Sequence, residues 1–210
     1  MWVDGGLRWA GHIERVRGKV GRLLGVLGRA GAVLDGRRLL SLYNGLVLPH
    51  LQYCLMVWGD LKEGRNLTLG GSLVRYQKRF AGLIAGKKGR YHADPLLAQH
   101  GMLKLGDLYR QQLRVHAWQF WNGRLPENQA AMLGRIDGVH GYGTRAARAG
   151  LYLSTRDHRS VGYRVPREWA TMAEAQRGAV SLGGFKRRSK GEFLSVYAGF
   201  RCPGGCGICP

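Results

Sequence analysis

Acidic side chains are scarce in this chain. Asp and Glu number 13 against 33 Lys and Arg, so its 210 residues carry a formal charge of +20. Asp4, Asp35, Asp60, Asp94, Asp107, Asp137 and Asp157 are scattered, and no two make the close pair that holds two metal ions for phosphoryl transfer. No Walker-type glycine loop, G-x-S-x-G elbow or H-E-x-x-H pair is present, and the seven histidines stand apart from one another. Taken alone, the sequence holds no active site. Long apolar runs are missing too. The greasiest stretch, 39–59, is broken by Asn44, Pro49, His50 and Gln52 and stays short of the ~20 apolar residues that a bilayer requires. We therefore expect no membrane partner. We also expect no secretory signal and an intracellular location, nuclear or cytoplasmic. Four cysteines do not make a secreted disulfide scaffold. Internal repeats and long low-complexity segments are absent.

What is abundant is positive charge, spread along the whole chain. Such an excess points to a polyanion partner, above all nucleic acid. A bias towards Arg and Gly codons is the alternative source, because Arg far exceeds Lys and glycine reaches 34 residues.

Apolar periodicity predicts a mainly α protein. In the central stretch, Asp35 is placed to cap a helix from about Gly36, and Pro49 kinks or restarts it. Apolar residues fall on nearly every face there, so neighbours should cover it all round, with Cys54 a small buried hydrophobe. Ahead of it, 12–29 reads as an amphipathic helix with Ile13, Val16, Val20, Leu23, Leu24 and Leu27 on one face. Gly18, Gly21, Gly25 and Gly28 each weaken that helix by ~0.5–1 kcal/mol, so it needs tertiary packing. A further helix over 66–85 carries Leu69, Leu73, Tyr76, Phe80, Leu83 and Ile84 inward. Asp94-Pro95 reads as a cap and first helical position. A helix over 105–122 buries Leu105, Leu108, Tyr109, Leu113, Ala117, Phe120 and Trp121. Leu151–Leu153 and Val161–Val165 are short strand candidates. Pro166 then opens a helix with Trp169 and Met172 inward, and 182–198 forms the last helix on Leu182, Phe185, Phe193, Leu194 and Tyr197. At the start, Trp2-Val3 before the turn Asp4-Gly5-Gly6 reads as half a hairpin, as in a piece of something longer.

Three basic groups are candidate phosphate contacts. Arg75, Lys78 and Arg79 lie on the outer face of the 66–85 helix, where a merely solvated face is the competing reading. Lys87, Lys88 and Arg90 follow in a loop without acidic neighbours. Lys186, Arg187, Arg188 and Lys190 make a dense basic face on the last helix. The other local signal is Cys202, Cys206 and Cys209. Three thiolates within a few residues suit zinc, with His140, His158 or a residue elsewhere as fourth ligand. A tail with free thiols fits equally well. The C-x3-C-x2-C spacing also matches the iron–sulfur signature of radical enzymes that use S-adenosylmethionine. That signature comes early in those enzymes, ahead of a large α/β domain, so we set this reading aside.

These residues also resemble one family, block by block and in order. Val3-Asp4, Leu7, Trp9 and His12-Ile13 resemble the segment that follows the palm in non-LTR (LINE-type) retrotransposon reverse transcriptases. Leu42-Tyr43-Asn44-Gly45-Leu46-Val47-Leu48-Pro49-His50-Leu51-Gln52-Tyr53-Cys54, closing on Val57-Trp58-Gly59, resembles that family's L-Y-N-S-L-I-L-P-H block. Gln77-Lys78-Arg79, Leu103 to Tyr109, Leu125-Pro126, His140 to Arg145 and Phe185 to Tyr197 continue the match over nearly the whole chain. The family's W-N-x-L-P block is the exception, standing here as Trp169-Ala170-Thr171-Met172, as in a drifted or decayed copy.

The resemblance implies the end of a palm or primer-grip hairpin over 1–10 and a thumb-like helical bundle over 11–90. A helical connector over 91–133, a basic, irregular, α-rich region over 134–201 and a Cys-rich tail over 202–210 would follow. Partners would be RNA and DNA, as template–primer duplex and target, together with the fingers and palm of the same polyprotein. Arg145 joins the phosphate-contact candidates. The chain itself would not be an enzyme, because the palm aspartates lie outside it. A non-functional relic and a zinc-dependent nucleic-acid-binding module are the alternatives.

Overall fold

Helix formation follows the apolar periodicity closely, and the chain is mainly α in a computed structural model. The structure describes residues 1–3, 5–6, 9–60, 64–136, 150–153, 158 and 160–202, and for 64–69 the backbone alone. Helices α1 (Ala10–Ala30) and α2 (Gly36–Leu42) lead into a π-helical turn (Tyr43–Val47), α3 (Leu48–Gln52), α4 (Leu55–Trp58) and α5 (Gly64–Ile84). Next come α6 (Ala93–Gln99), α7 (Leu105–Trp121), α8 (Glu127–Ala130), α9 (Val161–Ala170), α10 (Glu174–Arg177) and α11 (Leu182–Ala198). Among the described residues no strand forms, and Leu151 makes only an isolated antiparallel bridge with Arg135. No described helix is long and apolar enough to cross a membrane. The chain divides into two compact units, Met1–Tyr109 with Glu192–Pro210, and Arg110–Gly191.

In the first unit, α1 packs along α5 and buries Ile13, Val16, Val20 and Leu27. The Asp35 carboxylate accepts the Arg38 N–H at 2.8 Å and caps α2 as expected. The chain then meets Pro49, which has no N–H to give an α-helical partner. The helix adapts by widening into the π turn, where the Leu48 N–H reaches Tyr43 O, and Pro49 sits in the first turn of α3.

That geometry corrects the expectation of cover on every side. Leu39, Tyr43, Val47, Leu51, Leu55 and Trp58 are buried, whereas Leu46, Tyr53 and Val57 stay 45%, 58% and 39% exposed. An every-fourth-residue row drifts round a regular α-helix, and the wider π turn brings it back, so one face alone is covered. Cys54 is likewise only half-buried, because the chain reverses there in a left-handed conformation with φ 51°.

Polar groups lock this unit together. Gln77 is 1% exposed; its side-chain amide donates to Leu103 O at 3.0 Å and accepts the Leu105 N–H at 2.8 Å. It thereby satisfies a donor that the first turn of α7 leaves open. The buried Tyr43 hydroxyl lies 3.5 Å from the same amide, and burial pushes that phenol up to about 12. Asp94 is not the cap of α6. Helix α6 begins at Ala93, and the Asp94 carboxylate pairs with Lys104 Nζ at 2.7 Å. No first-turn position needs an intrahelical N–H bond, so Pro95 does not fix the start, and an ammonium competes well for the carboxylate. The Tyr197 hydroxyl donates to Asp107 and accepts the Lys104 N–H at 3.2 Å. Burial and the Asp107 carboxylate hold this phenol far above its ordinary range.

In the second unit, Trp118, Trp169 and Phe185 form the centre, each less than 2% exposed. Trp118 Nε1 donates to Ala179 O at 3.2 Å, and its ring meets Phe185 at 5.7 Å. Phe120 and Trp121, expected inward, are half-buried instead, and Trp118 takes the interior place. The strand expected over Val161–Val165 is corrected as well. Those residues belong to α9, with Pro166 inside the helix rather than at its start. Val165 and Trp169 lie four apart on its buried face, and that packing outweighs the β-preference of Val and Tyr and the lost Pro166 hydrogen bond. Met172 is buried as expected. Arg114, 1% exposed, donates to Glu168 Oε1 at 2.7 Å, and Arg110 Nε lies 3.1 and 3.2 Å from the two carboxylate oxygens.

Candidate nucleic-acid interface

The glycines of α1 line the space beside α5. Gly18, Gly21, Gly25 and Gly28 follow one another at three- and four-residue spacing and so share a face of the helix. With no side chains on that face, α1 and α5 leave an open groove of about 920 Å³ between them, lined by all four glycines. A Cβ on Gly21 would come within 3.1 Å of the Tyr76 hydroxyl. At Gly18, Gly25 and Gly28 an added Cβ would meet no atom of α5 within 4 Å, so Gly21 alone of the four is set by the packing of Tyr76.

The walls are cationic. Arg17 and Arg22 come from α1, Arg79 from α5, and Lys87 from the loop after it; Tyr76 and Tyr91 add polar aromatic edges. Among the described residues no carboxylate lines the groove. Arg17 shares its charge with Glu14 at 3.3 Å, in an exposed pair of little energetic weight. Arg22, Arg79 and Lys87 make no ion pair among the described residues. Like charges lining one depression raise the positive potential there.

A second depression of about 580 Å³ shares Arg79, Gly89 and Tyr91 with the first, and Lys78, Arg90, His92 and Phe200 complete most of its lining. Tyr91 is laid onto α5, with its hydroxyl donating to Lys78 O at 3.2 Å. Only glycine at 82 permits this, since a Cβ there would fall 2.1 Å from the Tyr91 oxygen. Asp94, the one carboxylate among the described lining residues, is already held by Lys104.

The sequence candidates thus fall into groups. Lys78, Arg79, Lys87 and Arg90 come together on the first unit. Lys88 is exposed in the same loop but lines neither depression. Arg75 is exposed and donates to Ser72 Oγ at 2.9 Å. Lys186, Arg187 and Arg188 are exposed on α11 within the second unit, where Arg188 donates to Ala175 O at 3.1 Å; Lys190 is half-buried. Arg145, Cys206, Cys209 and His140 lie outside the described residues, and Cys202 is half-buried. Among the described residues no group of three or more His, Cys, Asp or Glu is placed to hold a metal, so those residues alone make no zinc site.

Sequence reasoning missed Arg17, Arg22 and Tyr91. No local pattern singles out the first two, because their place in the groove depends on α5 lying beside α1. Comparison with known proteins gives no match: no family model, no curated protein and no solved structure aligns with the chain.

Proposed function

We propose that the first unit grips a nucleic-acid backbone in the groove between α1 and α5. In this reading the chain is the thumb and C-terminal region of a non-LTR (LINE-type) reverse transcriptase. It binds the RNA–DNA template–primer, and the fingers and palm of the same polyprotein supply the polymerising aspartates. The observation that carries the reading is a groove walled by Arg17, Arg22, Arg79 and Lys87 with no carboxylate among its described lining residues. Such a surface meets phosphates and releases their counterions; it has no arrangement that reads base edges. The ordered resemblance of Leu42–Gly59 and Gln77–Arg79 to that family supplies the polymerase context, and the long interhelical groove suits a duplex held by shape and charge.

The test compares binding of a labelled RNA–DNA hybrid by the native chain with two alanine variants. Arg22→Ala/Arg79→Ala/Lys87→Ala strips the groove, and Lys186→Ala/Arg187→Ala removes the same kind of charge from the other unit. The groove variant should bind about tenfold more weakly or worse, and the other should change much less. Equal losses in the two variants would mean that net charge, not this groove, holds the hybrid.

A further inference from the structure

The second depression differs from the groove in one respect that charge does not explain, which is an aromatic wall. Phe200 is 36% exposed, and its ring meets that of His92 at 5.0 Å with the planes tilted by 46°. Facing the same space are Lys78, Arg79 and Arg90, three cations that make no ion pair among the described residues. The volume of about 580 Å³ lies within the ~300–1,000 Å³ typical of small-ligand sites. Phosphate alone needs only the cations, and a duplex backbone has no face to offer an aromatic ring. An unpaired nucleotide satisfies both walls, with its phosphate among the cations and its base on the ring.

We propose that this pocket takes a single unstacked nucleotide, with its phosphate at Arg79, Arg90 and Lys78 and its base stacked on Phe200. The proposal rests on the nucleic-acid reading of the neighbouring groove and adds a site for an unpaired strand end beside it. Tyr91 fixes the pocket floor through its bond to Lys78 O, so the cations of α5 and of the loop keep one spacing. Asp94 does not repel the phosphate, because Lys104 Nζ holds it at 2.7 Å. Stacking tolerates any base, so the pocket recognises nucleotides as a class.

The experiment titrates the full chain with adenosine 5′-monophosphate, adenosine and inorganic phosphate, following the base protons by saturation-transfer NMR and the affinities by calorimetry. The nucleotide should bind more tightly than either part. Phe200→Ala should weaken it about tenfold while leaving inorganic phosphate unchanged, and Arg90→Ala should weaken nucleotide and phosphate alike. Both side chains are exposed at their tips, and a far-UV spectrum confirms that each variant is folded. If phosphate binds as well as the nucleotide, or if Phe200→Ala leaves the nucleotide affinity intact, the base site does not exist and the proposal falls. Hybrid binding measured on the same variants separates the two readings. A chain that grips the hybrid in the groove but ignores the nucleotide keeps the first reading and loses this one.

Discussion

Replacing Glu168 with alanine should cost ~3–5 kcal/mol, the penalty for breaking a buried ion pair from one side. The variant should lower the melting temperature by about 6–20 °C for a chain of this size. The reason lies in Arg114, which is 1% exposed and has its guanidinium 2.7 Å from the Glu168 carboxylate. Without that carboxylate a full positive charge stays in the interior of the second unit. Almost no solvent reaches it there, since the residue is 1% exposed. Arg110 suffers less, because its side chain is 41% exposed and returns to solvent. Removing both buried ends tests the mechanism. Arg114→Leu/Glu168→Leu should melt closer to the native chain than Glu168→Ala does, since no buried guanidinium remains beside a lost carboxylate. Calorimetry of the three proteins decides the matter. Should the double variant be the least stable of the three, the pair contributes net attraction and the cost of Glu168→Ala does not come from a buried charge losing its carboxylate.

Gln77→Ala is the second large effect, at about 2–5 kcal/mol. The substitution leaves the Leu105 N–H and the Leu103 C=O without partners in a buried place, and it opens a cavity where an almost fully covered side chain had been. Gln77→Glu separates the two causes, because it fills the space and still accepts from Leu105. It cannot donate to Leu103 while ionised, so it should also be destabilised at pH 7. Burial favours the neutral carboxyl, so part of the loss should return at pH 4, where protonation restores a donor. Urea unfolding at the two pH values reads this directly; an equal loss at both would remove the Leu103 bond from the account. Gln77 also lies next in sequence to Tyr76, Lys78 and Arg79, which line the two basic depressions. Loosening α5 at this point should therefore weaken hybrid binding along with the fold.

The helices that were legible in the sequence are those with long apolar periods. The expected 12–29, 66–85, 105–122 and 182–198 stand as Ala10–Ala30, Gly64–Ile84, Leu105–Trp121 and Leu182–Ala198. Their ends were readable because the stripe itself stops there. Val161–Ala170 was misread because its first five residues contain Val161, Tyr163 and Val165, which favour strands locally. Only the pairing of Val165 with Trp169 against the interior makes it a helix. Partnerships across long separations were not legible at all. Nothing near Arg114 announces Glu168, 54 residues away, and nothing near Gln77 announces Leu103 and Leu105. Asp94 looked like a cap because its competitor, Lys104, comes 10 residues later.

The candidate site was half readable. Lys87 and Arg90 stood out for want of acidic neighbours, and that pattern is local. Arg17 and Arg22 did not, because the glycines beside them register in a sequence only as a cost to the helix. Their use depends on α5 lying against α1 and on Tyr76 reaching towards Gly21, which is a tertiary fact. Cys54 shows the converse error. An apolar neighbourhood in sequence suggested burial, and a chain reversal at φ 51° brought it halfway out.

The proposed function requires that four cations in one groove hold phosphates. Measuring hybrid affinity against salt between 50 and 200 mM addresses that most directly. Four engaged phosphates give a log–log slope of about −3.6, and the variant lacking Arg22, Arg79 and Lys87 should fall to about −0.9. A slope near zero for the native chain, or an unchanged slope in the stripped variant, would contradict the groove as the binding surface.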